Sequence, residues 1–254
     1  MAFDPRQGYD PKIGQRYSNS HDVVTGATVA GAPAITRAGF LQKVYAAMTV
    51  GVLISMGTAF ALLQQGIEDP QGSIVVQVAH NYLMVGLIYL ALTFGASLAA
   101  RVRILNISLF IAFALVTGLR LSPLFVLGYQ AGGYALIWNA LGMTCLLFGG
   151  LTGYVFISGK DFSFLGGTLS MGIMVLLGFM VGTFFFDAPA YQMGVTVGGL
   201  LLFGLFVLYD TSVIMRSLAP EEWVAGALHL FIDFINLFIR ILFILIRISG
   251  AARR

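Results

Sequence analysis

The sequence predicts an all-α membrane protein, a bundle of seven transmembrane helices. Of its 254 residues, 58% carry hydrophobic side chains and only 10% are charged, whereas about 25% are charged in a typical soluble domain. Apolar runs near twenty residues long recur, which is the length a helix needs to cross about 30 Å of hydrocarbon. Because backbone polar groups must be satisfied inside lipid, such runs are expected to form helices.

Residues 1 to 36 are polar and predict a disordered cytoplasmic tail ahead of a membrane domain of residues 37 to 254. The tail contains no apolar run before a small-residue cleavage site, so it does not resemble a signal peptide. Seven apolar segments joined by short connections follow. They are Phe40–Leu63, Val75–Ala99, Ile104–Leu127, Ala131–Ile157, Phe164–Phe186, Tyr191–Met215 and Val224–Ile248.

The charged residues at the segment ends predict the orientation. One side collects the basic residues Arg37, Lys43, Arg101, Arg103, Lys160 and Arg216, and the other has Glu68, Asp69, Asp187 and a single Arg120. The positive-inside rule then places the N-terminus in the cytoplasm of a multi-pass protein. The basic residues form no concentrated patch, so we expect no nucleic-acid partner. The side of the C-terminus stays open, because the last segment could either span or only re-enter.

Asp210 and Asp233 each interrupt an apolar segment. A charged group inside a bilayer costs at least ~2.5–3.5 kcal/mol, so such groups usually face a cavity or a partner. Counted from the turn between the last two segments, the two carboxyl groups differ in depth by only ~5 Å. Two close carboxylates cannot both be charged cheaply, which predicts a proton sensor or a cation site. The alternative is that both simply bond to neighbouring hydroxyls such as Thr211 and Ser212.

The last segment has a polar stripe, with His229, Asp233, Asn236 and Arg240 at spacings of four, three and four. These spacings put the four residues on one helix face, which we expect to point into the bundle. His229 could titrate near neutrality or serve as a hydrogen-bond partner. Arg240 could balance Asp233 or extend its side chain toward the membrane surface.

Known catalytic patterns do not fit the chain, so we expect no enzyme and no tightly bound cofactor. Intramembrane aspartyl proteases need Gly-x-Gly-Asp, but Asp233 lies in LFIDF. The sequence around Ser170, GTLSMG, is not the G-x-S-x-G of serine hydrolases. A zinc site would need clustered ligands, but the histidines are scattered, at His21, His80 and His229.

Three stretches resemble the Bax inhibitor-1 family in its bacterial form: VTGLRLSPLF (116–125), FVLYDTSVIM (206–215) and ALHLFIDFINLFIRILFILIRISG (227–250). The resemblance covers Ala38 to Gly250. It implies seven helices with the last one central, and a pH-sensitive calcium leak governed by a di-aspartyl switch. The matching positions are Asp210 and Asp233, with Arg101, or Arg103 as the fallback, as the basic latch.

The leading hypothesis is therefore a calcium or other cation leak in the bacterial inner membrane. Asp210 and Asp233 would hold calcium weakly and transiently, Arg101 would latch the pair, and His229, Asn236, Arg240 and Arg103 would support it. His229 and Arg240 depart from the family pattern. The alternative is a regulatory membrane protein that conducts nothing and binds another membrane protein, such as a quality-control protease.

Overall fold

The computed structural model describes residues 28–69, 73–98, 103–183, 185–186 and 188–251, and these residues form helices and connections with no β-strand. The prediction of an all-α protein is confirmed for this part of the chain. Seven α-helices follow in chain order. They are α1 (Ala34–Glu68), α2 (Ile74–His80), α3 (Tyr82–Leu98), α4 (Arg103–Ser158), α5 (Gly166–Gly182), α6 (Pro189–Arg216) and α7 (Trp223–Ala251).

Most of the predicted N-terminal tail, residues 1–27, lies outside the described residues. The segment that leads into α1 packs onto the bundle. Val29, in the short 3-10 turn Val29–Gly31, is buried. Its N–H donates to the carbonyl of Leu218, 2.8 Å away in the connection between α6 and α7.

Among the described residues, five helices, α1 and α4 to α7, are long and apolar enough to cross a membrane, and the pair α2 and α3 adds a sixth span if it counts as one. The prediction that Val75–Ala99 forms one continuous helix is wrong, because α2 and α3 meet at an 86° bend. The break falls at Asn81, where the backbone leaves helical geometry with φ −105° and ψ 28°. Its backbone N–H and its side-chain Nδ2 both bond to the Gln77 carbonyl, at 3.0 and 2.9 Å. Such a side chain offers the backbone an alternative to continuing the helix.

Helix α4 contains two of the predicted segments. Its 56 residues would extend ~84 Å if straight, far beyond the ~30 Å of a bilayer core. Gly133 interrupts it with φ 70° and ψ −167°, values that glycine adopts without steric cost. The Phe60 ring contacts Phe125 before this break (5.0 Å) and Trp138 after it (5.3 Å). The two halves of α4 therefore pack side by side as a hairpin.

The first half of α4 also carries Pro123, which lacks the N–H that would bond to the Leu119 carbonyl. The Ser122 hydroxyl donates to that carbonyl instead, at 2.8 Å. This local replacement keeps a polar group satisfied where lipid offers no partner. The helix therefore continues past the proline.

Helix α7 packs against α1, α4 and α6. Aromatic side chains fill these contacts: Phe231 meets the rings of Phe110 and Phe113, and Phe238 meets Phe125. All five side chains are buried. This packing fixes the depth and the rotation of the helix that carries Asp233.

Candidate functional site: a buried pair of aspartates

Asp210 on α6 and Asp233 on α7 come together inside the bundle. Only 7% of Asp210 and 3% of Asp233 is exposed. The two carboxyl groups lie within side-chain hydrogen-bonding range of each other. Oδ2 of Asp233 is buried and has no hydrogen-bond partner among the described residues. The proximity expected from the spacing of the two segments is present in the structure.

The connection between α6 and α7 explains why the two aspartates meet. Helix α6 ends at Arg216 and α7 begins at Trp223, so the helices run antiparallel from a short turn. The Glu222 carboxylate accepts a bond from the Ala219 N–H at 2.8 Å, which stabilises this turn. Asp210 and Asp233 stand at comparable distances from the turn and therefore at similar depth.

The surroundings of the pair are apolar. Val207 and Ile214 flank Asp210 on α6, and Phe234 neighbours Asp233 on α7; all three are buried. In such an environment charges interact more strongly than in water, and an unpaired charge is costly. Two carboxyl groups can form a direct hydrogen bond only if one of them carries a proton. The arrangement can therefore hold a shared proton.

His229 connects the pair to the protein surface. Its Nδ1 lies 3.5 Å from Oδ1 of Asp210, and 55% of its side chain is exposed. This separation is at the long end of the range for a hydrogen bond. The sequence placed His229 beside Asp233 on α7, but its contact is with Asp210 on the neighbouring helix.

The other two members of the polar stripe do not contact the carboxyl pair. Asn236 Nδ2 donates to the Ile232 carbonyl at 2.9 Å, within α7. Arg240 lies 3.8 Å from the Met180 sulfur, and its guanidinium is 6.0 Å from the centre of the Phe203 ring. No carboxylate among the described residues lies within ion-pairing distance of Arg240. Arg240 is therefore not the counter-ion of Asp233.

The two candidate latch residues, Arg101 and Arg103, lie in and next to a gap in the described residues, respectively. Arg101 lies outside the described residues. Arg103 begins α4, and its side chain lies outside the description. Seven residues further on, the Phe110 ring contacts Phe231, at 5.8 Å between ring centres. Because Phe231 is two residues before Asp233 and the two helices run in the same direction, the start of α4 lies ~13 Å along the helix axis from Asp233.

A hydrogen-bonded network beside the pair was not predicted. The Ser212 hydroxyl donates to Asp161 Oδ1 at 3.1 Å and accepts from the Phe162 N–H at 3.0 Å. Asp161 Oδ1 also accepts from the backbone and the hydroxyl of Ser163, at 2.9 and 2.7 Å. Arg216 donates to the Gly159 carbonyl at 2.7 Å. Through these bonds the connection between α4 and α5 is held against the end of α6.

The network lowers the pKa of Asp161 below its ordinary value. The bond from the Ser163 N–H contributes most, followed by the Ser163 hydroxyl. The sequence contained one sign of this network, the carboxylate of Asp161 in a very short connection. Its partner Ser212 could not be predicted, because it lies 51 residues away in the chain. In the alternative interpretation the two aspartates bond to hydroxyls such as Thr211 and Ser212, but the Ser212 hydroxyl donates to Asp161 instead. The Thr211 hydroxyl is buried and has no hydrogen-bond partner among the described residues.

The aspartate pair and its neighbours do not form a site for a permanently bound metal ion. No group of three or more His, Cys, Asp or Glu side chains able to hold a metal occurs among the described residues. Calcium takes about six to eight oxygen ligands, and the pair supplies only two carboxylates. This set suits a brief contact with a passing cation.

Comparison with known proteins agrees with this architecture. Residues 37–250 match the family model described as inhibitor of apoptosis-promoting Bax1. Protein lifeguard 4 of Mus musculus is 33% identical over 234 residues, covering 89% of this chain and 92% of the mouse protein. The Golgi anti-apoptotic protein of Vaccinia virus (strain Lister) is 30% identical over 234 residues, covering 91% of this chain and 95% of the viral protein.

A bacterial relative matches over a shorter stretch. An uncharacterized protein of Pseudomonas aeruginosa is 35% identical over 116 residues, covering 46% of this chain and 51% of that protein. The family match takes in α1 to α7 up to Gly250, and with it both buried aspartates. With its all-helical membrane architecture and a match over most of its length, this chain belongs to the Bax inhibitor-1 family.

Proposed function

We propose that this protein lets calcium or another cation leak across the bacterial inner membrane in a pH-dependent way. Asp210 and Asp233 form the switch, α7 is the central moving helix, and the N-terminus is cytoplasmic. The observation that supports this most is the direct meeting of two buried carboxyl groups on adjacent helices. A purely structural pair would be costly at this position in a membrane.

The closed state follows from a single proton shared by the pair. With the proton present, one carboxyl group donates to the other and α6 stays close to α7. Without it, two negative charges face each other in an apolar setting, where their repulsion is poorly screened. Separation of the helices relieves that repulsion, and so does a cation. Rising pH therefore favours an open arrangement.

Two kinds of cation can stabilise the deprotonated pair. A calcium ion entering the bundle would contact the carboxylate oxygens as cargo and leave again, because few further ligands are available. Arg101, with Arg103 at the start of α4 as the fallback, would act as a cation that belongs to the protein itself. In this scheme the arginine latch competes with calcium for the same carboxylates, and His229 modulates Asp210.

Flux measurement on purified full-length protein in liposomes tests the proposal. We expect calcium entry, followed with an internal indicator, to rise as pH is raised, because loss of the shared proton leaves two carboxylates facing each other. Asp210→Asn and Asp233→Asn should each remove the pH response. Glu221→Gln, which deletes an exposed carboxylate in the α6–α7 turn, is the matched control and should keep it. If folded Asn variants retain the wild-type pH response, the switch is refuted.

The regulatory alternative also has support. The viral relative is named as an anti-apoptotic protein, which is a regulatory role. Under this alternative, wild-type protein in liposomes would pass no calcium at any pH. It would instead retain a membrane partner, such as a protease, on purification from bacterial membranes with and without crosslinking. Flux from the wild type that the Asn variants alter would exclude this alternative.

A further inference from the structure

A cavity of about 660 Å³ lies on the side of α7 that faces α3 and the first half of α4. This volume falls in the range of about 300–1,000 Å³ that is typical of small-molecule sites. Most of its wall is aliphatic or aromatic: Leu90, Leu121, Leu124 and Leu127, Ile232, Ile235 and Ile239, and Phe203 and Phe243. Leu90 and Leu127 are half exposed, so the cavity opens toward the surrounding lipid.

One cation, Arg120, lines this apolar cavity. Its guanidinium stacks over the Tyr89 ring at 4.3 Å and donates from one terminal nitrogen to the Tyr82 hydroxyl at 3.3 Å. Its Nε is buried and has no hydrogen-bond partner among the described residues. No carboxylate among those residues lies within ion-pairing distance of it. The rings stabilise the guanidinium charge in part, but they supply no anion.

We propose that this cavity binds an anionic amphiphile, an acyl chain whose acidic head group contacts Arg120. The head group would accept hydrogen bonds from the free Nε and from a neighbouring guanidinium nitrogen, the paired geometry that arginine offers to carboxylates and phosphates. The tail would lie along Leu124, Leu127 and Ile239. The site is separate from the aspartate pair.

The lining favours an anion over a cation or a neutral lipid. Its polar side chains are Thr93, Thr117, Asn236, two tyrosines and Arg120, and no acidic residue is among them. A cation would be repelled by the positive charge of Arg120. A neutral chain would leave Nε of Arg120 without a hydrogen-bond partner in an apolar setting, which costs free energy. The cavity is therefore complementary to one negative charge on an apolar chain.

Photoaffinity labelling tests the site in full-length protein reconstituted in phosphatidylcholine nanodiscs. The probe is a palmitic acid analogue carrying a diazirine in its chain, and labelled peptides are located by mass spectrometry. We expect labelling on the peptides that line the cavity. Palmitic acid should compete and hexadecanol, which has the same chain without the charge, should not. Equal competition by the acid and the alcohol would refute a role for Arg120.

The source of the amphiphile is decided by a second competitor. Phosphatidylglycerol added to the nanodiscs would compete if the site takes acidic bilayer lipid. If only palmitic acid competes, the site takes free fatty acid. Both results fit an acidic head group on Arg120, and failure of both to compete would refute the site.

Two variants separate loss of the site from loss of the fold. Arg120→Gln should reduce specific labelling about tenfold or more, the scale of a charge-assisted hydrogen bond. Arg37→Gln removes the same charge from an exposed position on α1 and should label like the wild type. If Arg120→Gln unfolds, Leu127→Trp still tests the proposal, because it narrows the cavity and keeps the arginine. Unchanged labelling of a folded variant of either kind would overturn the proposal. The readout is binding, so its outcome is independent of cation flux.

Discussion

The Ser212 hydroxyl donates a hydrogen bond to Asp161 Oδ1, 3.1 Å away and 51 residues earlier in the chain. This bond joins the α4–α5 connection to α6 two residues after Asp210. The same hydroxyl accepts from the Phe162 N–H. Motion of α6 at the carboxyl pair would therefore pull on this connection, which gives the proposed switch a measurable external marker.

Ser212→Ala is expected to loosen the α4–α5 connection. The substitution removes both bonds and leaves the Phe162 N–H without its partner, at a cost of about 1–3 kcal/mol. Hydrogen exchange of residues 158–163 should accelerate by about tenfold or more. Ser170→Ala is the control, because the Ser170 hydroxyl bonds within its own helix to the Gly166 carbonyl. Equal exchange in the two variants would contradict the role given to Ser212.

The contact between the α4–α5 connection and α6 should weaken only at acid pH, where Asp161 becomes protonated, and should not change around neutral pH. The folded-state pKa of Asp161 is lowered, mainly by the Ser163 N–H. A carboxylate with a lowered pKa stabilises the fold above its unfolded value of about 3.9, and that contribution is lost as pH falls through the folded value. Exchange protection of residues 158–163, corrected for intrinsic rates, should therefore be constant from about pH 5 upward in the closed state.

The control for this pH dependence is Asp161→Asn, which should remove the acid transition. A change in protection between about pH 6 and pH 8 that persists in Asp161→Asn would come from another group. Asp210→Asn and Asp233→Asn would then identify it. If both also retain the change, the carboxyl pair is not coupled to α6 motion.

Gly118→Ala is expected to destabilise the protein. An added Cβ would lie 2.5 Å from the Ser55 carbonyl oxygen and 2.6 Å from the Thr58 Cβ, so α1 and α4 would have to move apart. Overpacking of this kind costs about 1–3 kcal/mol, measurable as a lower Tm in detergent. Gly142→Ala lies on the same helix with nothing within 4 Å of its Cβ and should have an unchanged or higher Tm.

Asp233→Asn is expected to stabilise the protein at neutral pH. The amide cannot ionise, and its NH2 can donate to the Asp210 carboxyl group, whereas Oδ2 of the native aspartate is buried without a partner. If removal of this unpaired oxygen raises the free energy of unfolding by about 1 kcal/mol, Tm should rise by about 2–4 °C for a chain of this size. Glu221→Gln should leave Tm unchanged. A lower Tm for Asp233→Asn would show that the carboxylate itself stabilises the fold.

Local patterns predicted the elements well where hydropathy dominates. The apolar segments are helical, the aspartates meet, and the two halves of the hairpin at Gly133 match two predicted segments. Prediction was wrong at Asn81, because hydropathy identifies the apolar run but carries no information on the 86° bend of the backbone within it. The contacts of Arg240 could not be predicted either. The position of a residue on a helix face shows which way its side chain points, but not which neighbouring helix it meets.

The sequence by itself determined that this chain is a helical membrane protein with two acidic groups at matching depth. Those properties are set by composition and by the fixed rise of a helix, both of which are local. Only the tertiary structure decided that His229 contacts Asp210, that Ser212 fastens a distant connection, and that Arg120 stands without an anion in a cavity. Such relationships depend on how the helices are rotated and which ones are neighbours, and close packing of buried side chains such as Phe110, Phe231 and Phe238 fixes both.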